Sequence, residues 1–283
     1  MPLAYVNGQV LPIEQALIHV EDRGMQFADG VYEVVRAYRG RLFRAGPHLA
    51  RLREGMAGLD IPPPEVPGGL AGLLDELWER SGETQGLLYL QVTRGQGPRA
   101  HVALQGLQPN LIITCRGVPP QPEDRYREGV KVITHRDIRW EWCHLKTTAL
   151  VANVLLRTRA AGDGAYECLL HRNGVVTEAT ASNAFAVVDG VLRTAPCSQH
   201  ILSGVTRAAV LELALRLGIT SLEEPFTLDE AARAGEFFVT GTHTELMPVV
   251  NLDGLPVGDG RVGPVTRQLL DSYRDLIRTE IGG

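Results

Sequence analysis

The sequence predicts an α+β (mixed α/β) protein rather than a doubly wound parallel sheet. Helical periodicities alternate with short β-rich runs along the whole chain, many of those runs are joined by hairpin dipeptides, and a proline-rich break interrupts the pattern before the midpoint. The 283 residues suit two domains, at roughly 100–200 residues each.

The elements follow in order. In "LAYVNGQVL", Asn7-Gly8 stands between two apolar runs and marks a hairpin. "GVYEVVRAYRGRLFRA" reads as a second hairpin, turning at Arg39-Gly40. "AGPHLARLREGMAGL" has helical spacing at Leu49, Leu52 and Met56, with Pro47 in the first turn. "GGLAGLLDELWERSG" is a helix with a glycine stop. "LLYLQVTRG" and "PNLIITCRGV" are strands flanking "QGPRAHVALQG". "PPQPED", residues 119–124, marks a linker. It divides a small N-terminal α/β domain, 1–118, from a larger C-terminal domain, 125–283.

The second part opens with a strand, "VKVITHR", and a helix beginning near Thr147. A meander of strands follows, turned at Asn173-Gly174 and Asp189-Gly190. "SGVTRAAVLELALRLG" is a helix ending at Gly218, "GEFFVTGTHTELMPVVNLDG" is strand, loop and strand, and a final helix covers roughly Val265–Ile277.

Composition narrows the function classes. The chain is 44% hydrophobic and 22% charged, an ordinary globular balance. Its net charge of −5 is spread along the sequence, with no basic stripe to neutralise a nucleic acid. The four cysteines are far apart and form no C-x-x-C pair, which suggests reduced thiols. No signal segment or spanning apolar run is visible, so a cytoplasmic location without a membrane partner is expected. The eight histidines form no metal-ligand cluster, and no metal is expected. "HRD" at 135–137 matches a kinase catalytic-loop tripeptide, but no glycine-rich loop or D-F-G accompanies it.

In "EWCHLKTTALVANVLLRT", Lys146 has no nearby carboxylate in sequence and precedes the expected helix. A helix N-terminus disfavours a cation by about 0.3–1 kcal/mol, and burial acts the same way. A lysine that loses its proton easily attacks carbonyls. The same lysine could also lie along the surface. Glu178, in "VTEATASNAFAV", sits among small residues that leave room beside it, or it is a solvated hairpin carboxylate. The helix start at Gly204, Val205 and Thr206 could hold an anion, as could the hydroxyl-rich "TGTHTEL" at 240–246, or each could be a cap or a turn. A nucleophilic lysine, a carboxylate and anion donors together suit pyridoxal 5′-phosphate.

On "FADGVYEVVRAYRGRLFR", "HLARL", "HLKTTALVANVLL", "VTEATASNAFAV", "ILSGVTR" and "GTHTELMPV", the chain resembles the class IV (fold-type IV) pyridoxal-phosphate aminotransferases. The likeness runs from about Tyr5 to Asp253. It implies a two-domain architecture with the cofactor in a cleft between domains, and a cofactor-binding C-terminal domain. Lys146 would form the Schiff base and move the substrate proton, and Glu178 would keep the pyridine nitrogen protonated. Arg51 would bind the phosphate, with an alternative as a helix-surface arginine paired with Glu54. Val205, Thr206 and Thr242 would complete the phosphate cup, where Gly241 replaces a residue that in relatives often carries a hydroxyl.

Arg99 and His101, two apart after "TRG", resemble the carboxylate trap of the D-amino-acid branch, with Tyr32 as its third member. On a strand they would share one side, and on a loop they could still converge. In that branch the trap reaches the other subunit, which implies a homodimer. The implied reaction is amino transfer between D-amino acids, such as D-alanine, and 2-oxo acids, such as 2-oxoglutarate. Aminodeoxychorismate lyase, R-selective amine transaminase and branched-chain transaminase are rivals within the family. A pyridoxal-phosphate carrier or regulator without turnover is the non-enzymatic alternative. "HLKTT" and "TEATASN" depart from the branch's usual motifs, and His144 and His243 stand at unexpected positions; the preferred side chain is left open.

Overall fold

Alternation and turn chemistry build the first sheet. The structure, a computed structural model, describes residues 3–282. Strands β1 (Leu3–Val6) and β2 (Gln9–Pro12) meet at Asn7 and Gly8, whose φ values of 48° and 95° are those a tight hairpin requires. A 3₁₀ turn at Ile13–Gln15 and the short helix α1 (Arg23–Phe27) lead to β3 (Gly30–Tyr38). The hairpin at Arg39 and Gly40 returns the chain as β4 (Arg41–Leu42). Helices α2 (Ala45–Gly58) and α3 (Leu70–Ser81) follow, then β5 (Gly86–Thr93) and β6 (Asn110–Gly117). Among the described residues these strands form one antiparallel sheet in the order β2-β1-β6-β5-β3-β4.

One side of that sheet is the first core. Val31 and Val35 of β3 and Leu88, Leu90 and Val92 of β5 are buried at every second position. They pack with Leu49, Leu52 and Met56 of α2 and with Leu74, Leu77 and Trp78 of α3. Each fully buried side chain of this kind contributes roughly 1.5–3 kcal/mol.

The second unit begins with α4 (Glu123–Glu128) and β7 (Val130–Arg136). It continues through α5 (Val151–Gly162), β8 (Glu167–Arg172), β9 (Val175–Ala179), β10 (Asn183–Val188) and β11 (Val191–Thr194). Helix α6 (Val205–Arg216), β12 (Ser221–Leu222), α7 (Leu228–Arg233), β13 (Glu236–Gly241), β14 (Glu245–Leu252), β15 (Leu255–Pro256) and α8 (Pro264–Glu280) complete it. Its mixed sheet runs β12-β11-β10-β13-β14-β7-β8-β9, with β15 on β14. The pairs β11–β12, β14–β7 and β7–β8 are parallel and the rest antiparallel. Nearly every residue of β10 and β13 is buried, so both faces of these strands are covered. Phe185 and Phe238 stack between them at 4.9 Å.

The chain divides into Met1–Pro120, Leu145–Ala149 and Glu280–Gly283 as one unit, and Gln121–His144 and Leu150–Thr279 as the other. The first crossover falls within the proline-rich stretch. The chain then returns to the first unit for five residues, because Leu145–Ala149 pairs with β3.

Candidate active site

Lys146 does not open a helix. Helix α5 starts at Val151, with Leu150 as its N-cap, so the expected start near Thr147 is corrected. Residues 146–148 instead run antiparallel to the start of β3. Tyr32 N–H donates to Lys146 O (2.9 Å), Thr148 N–H donates to Gly30 O (3.0 Å), and Val31 bridges Thr147. The Thr148 hydroxyl adds a bond to Ala28 O at 3.0 Å. The β-branched pair Thr147-Thr148 suits this extended course better than a first helical turn.

This register places Lys146 Nζ 3.3 Å from the Tyr32 hydroxyl and 4.3 Å from the centre of its ring. Among the described residues, no carboxylate lies within ion-pair distance of it. The ammonium is therefore steadied by a phenol and a π face, partners that leave it chemically available. Tyr32 stacks in turn on Tyr89 at 5.6 Å. Lys146 is one of only two lysines in the chain; the other cations are 26 arginines (28 basic residues less two). The second lysine, Lys131, donates to Asp163 O at 3.2 Å.

The next residue of β3, Glu33, is fully buried and points to the opposite side, toward α2. It accepts from Arg51 Nε (2.6 Å), Arg51 Nη2 (2.9 Å) and His48 Nδ1–H (2.8 Å). Burial acts to raise its pKa, but the Arg51 and His48 hydrogen bonds, with the charges of Arg51 and Lys146, hold it at about 2. Burial keeps His48 below its ordinary range, so its ring is neutral and donates through Nδ1. Arg51 is thus paired with Glu33 and buried, not with Glu54 on the helix surface.

Arg99 and His101 lie on the exposed loop between β5 and β6, not on a strand. They converge on one ring: the Arg99 guanidinium lies 4.8 Å over Phe27, and His101 is 5.6 Å from the same ring. Arg23 holds the loop from below, donating to Ala100 O at 2.7 Å and to Asp29 at 2.8 Å.

Glu178 is buried inside the second unit, not solvated on a hairpin. It accepts from Arg139 Nη1 (2.5 Å), Asn183 Nδ2 (3.0 Å) and Leu202 N–H (3.0 Å). Burial pushes its carboxyl above the ordinary range, against the pull of Arg139 and the Leu202 amide. Burial alone would lower Arg139, but Glu178 and Asp137 outweigh it and raise it; Arg139 and Glu178 meet as a salt bridge. A carboxylate has about four lone-pair positions, and three donors leave one for a cationic N–H.

Asn183 also donates to Leu202 O (2.9 Å), which ties Glu178 to the segment leading into α6. Gly204 caps α6 without a side-chain hydrogen bond, and a Cβ there would overlap Asn183 Oδ1. Val205 and Thr206 begin that helix, where backbone N–H groups are oriented for an anion. Gly241 ends β13, and Thr242 opens the turn that leads into β14. Within the second unit, a carboxylate with one acceptor position left and a helix start without a side-chain cap suit a ring nitrogen and a phosphate; within the first, a lysine without a counter-carboxylate suits an aldehyde.

Sequence reasoning missed Glu33, His48, Asp137, Arg139 and Asn183. Glu33 had left a trace, since it occupies the buried phase of β3 between Val31 and Val35. Asp137 lay inside the tripeptide read as coincidence; it has no kinase role, but it pairs with Arg139.

The family described as amino-transferase class IV matches residues 30–252. The chain belongs to the class IV aminotransferases. A D-alanine aminotransferase of Listeria innocua is 40% identical over 278 residues, covering 96% of this chain and 95% of that protein. A T.th. branched-chain amino acid aminotransferase with pyridoxamine 5′-phosphate superposes with a TM-score of 0.90 at 27% identity, covering 97% of this chain and 93% of that one. The 4-amino-4-deoxychorismate lyase of Pseudomonas aeruginosa gives 0.83 at 30% identity, covering 96% and 98%. The fold is thus shared by enzymes of different reaction types, and this class IV chain is an aminotransferase by its near full-length sequence relatives.

Proposed function

We propose that this chain is a pyridoxal-phosphate-dependent aminotransferase acting between D-amino acids, D-alanine among them, and 2-oxo acids such as 2-oxoglutarate. The observation that carries the reading is Lys146, held beside Tyr32 without a carboxylate partner. Similarity to D-alanine aminotransferases over nearly the whole chain supports the substrate class.

Bound pyridoxal phosphate supplies an aldehyde that joins to amines and a ring that delocalises the electron pair left at Cα. Lys146 Nζ would be the group that holds that aldehyde. Free Nζ would be the base that takes the Cα proton. The remaining acceptor position of Glu178 holds a proton at the ring nitrogen. The Val205 and Thr206 N–H groups, the Thr242 hydroxyl and Arg51 hold the phosphate; Gly241 contributes backbone without a hydroxyl. Glu33 orients Arg51 through two hydrogen bonds. Tyr32, Arg99 and His101 bind the substrate carboxylate, for which a guanidinium fork is suited.

The protein acts as a homodimer in this reading, the Arg99–His101 loop serving a second copy. The loop is exposed and carries Val102 at 81% exposure, and Met25 on α1 is 70% exposed. A reducing, cytoplasmic location is supported by four free cysteines, three of them buried.

The test joins an assay to a label. D-alanine with 2-oxoglutarate should yield pyruvate, and L-alanine should not. Borohydride reduction of the pyridoxal-phosphate-loaded protein should place the label on Lys146 and not on Lys131. Absence of pyruvate would overturn the substrate; a label on Lys131, or none, would overturn the role of Lys146.

A further inference from the structure

The structure assigns Asp137 a role beyond its own burial: we propose that it is a positioning residue that turns the Arg139 fork away from Glu178 and keeps one acceptor position on Glu178 open. The proposal rests on the reading that Glu178 faces a cationic ring nitrogen.

A guanidinium prefers to meet a carboxylate with two parallel N–H groups. Arg139 lies between two carboxylates and gives that edge to only one. Its Nε and Nη2 donate to Asp137 Oδ1 and Oδ2, each at 2.9 Å. Glu178 receives Nη1 alone, at 2.5 Å. The Arg139 backbone N–H also donates to Asp137 Oδ1 (3.0 Å), a local turn that sets the spacing of the two residues.

Asp137 is fixed from several sides. Its own N–H donates to His171 O at 2.8 Å, and Oδ2 accepts from Arg172 Nε (3.2 Å) and Thr177 Oγ1 (3.4 Å). Arg139 Nη2 reaches His200 O at 3.4 Å, which further fixes the plane of the fork. The side chains of Asp137, Arg139 and Glu178 are 0%, 8% and 6% exposed, so water cannot substitute for a misplaced partner. With Arg172, the cluster holds two carboxylates and two guanidinia. Cys143, whose thiol burial pushes up to about 11, adds no charge.

Remove the Asp137 carboxylate, and the Arg139 fork is free to bring a second N–H to Glu178 Oε1, which accepts only Nη1, whereas Oε2 already takes Asn183 and Leu202. The acceptor position left on Oε1 would then be lost to any ligand. A residue that merely stabilised the fold would not act through Arg139, nor discriminate between ligands by one ring atom.

The experiment titrates apo-protein with pyridoxal 5′-phosphate and with its 1-deaza analogue, in which CH replaces the ring nitrogen. Asp137→Ala should raise the Kd for pyridoxal phosphate by roughly 10-fold and change that for the deaza analogue less than about twofold. Asp137→Ala combined with Arg139→Met should bind as Arg139→Met alone does. Equal weakening toward both ligands, or a loss that adds to that of Arg139→Met, would overturn the proposal. Should Asp137→Ala not fold, Asp137→Asn, which keeps one acceptor for Nε, carries the same comparison with thermal unfolding measured beside it. If the wild-type protein itself does not distinguish the two ligands, the Glu178 assignment fails; if it does and the Asp137 variants still do, only the role of Asp137 fails.

Discussion

The lysine of the first unit and the carboxylate of the second are held in opposite ways. Lys146 is half-buried, with its backbone tied to β3 and its amine left to one phenol and one ring face. Glu178 is buried and meets three donors, one of them a guanidinium that is itself held by Asp137. A group that must break and remake a covalent bond needs a fixed anchor and a loose tip. A group that must hold a proton at one atom needs a fixed tip.

The largest expected effect falls on the loose group. Lys146→Ala should lower amino transfer by at least about 10²–10⁴-fold, the range for loss of one acid–base group, and should abolish borohydride-stable labelling. Steady-state pyruvate formation from D-alanine measures the first. Arg99→Ala comes next, with the KM for amino acids rising roughly 10–150-fold while cofactor affinity stays near wild type. An unchanged KM would return Arg99 to a solvated loop residue resting on Phe27.

Glu178→Ala tests the over-determined side through stability. Arg139 keeps Asp137 but loses a charge-assisted partner, at a cost of about 1.5–3 kcal/mol by urea unfolding. A smaller loss would show that Asp137 alone satisfies the guanidinium. Glu33 sharpens the comparison through pH. Its value in the fold, about 2, lies below the ordinary 4.5, so its contribution is complete above about pH 4.5 and is lost as pH falls toward 2. Unfolding free energies measured from pH 5 to 2 should fall by about 3 kcal/mol in the wild type and more shallowly in Glu33→Gln. The smallest effect belongs to the other lysine: Lys131→Arg should leave turnover unchanged and the unfolding midpoint within about 0.5 kcal/mol of wild type.

Local chemistry was legible in the sequence, and long-range pairing was not. The turns at Asn7-Gly8 and Asn173-Gly174 could be read directly, because only a few residues tolerate their left-handed backbone; φ is 52° and 81° at the second. The helix over Leu70–Ser81 was read from spacing and a terminal glycine. The course of Lys146 was not legible, since it depends on hydrogen bonds to residues more than a hundred positions earlier. The same holds for Glu33, whose partners come from the next helix, and for Arg139, which meets Glu178 only after β8 and β9 have folded back. Motif resemblance named Lys146, Glu178 and Arg51, but it could not say what holds each of them in place.

The near-absence of lysine sets how this protein can be handled. Reagents that acylate primary amines, and aldehyde-coated supports, find two lysine side chains in this sequence, Lys131 and Lys146. Conventional amine coupling would therefore have Lys146 among its few targets, whereas attachment through the exposed Cys197 would spare it.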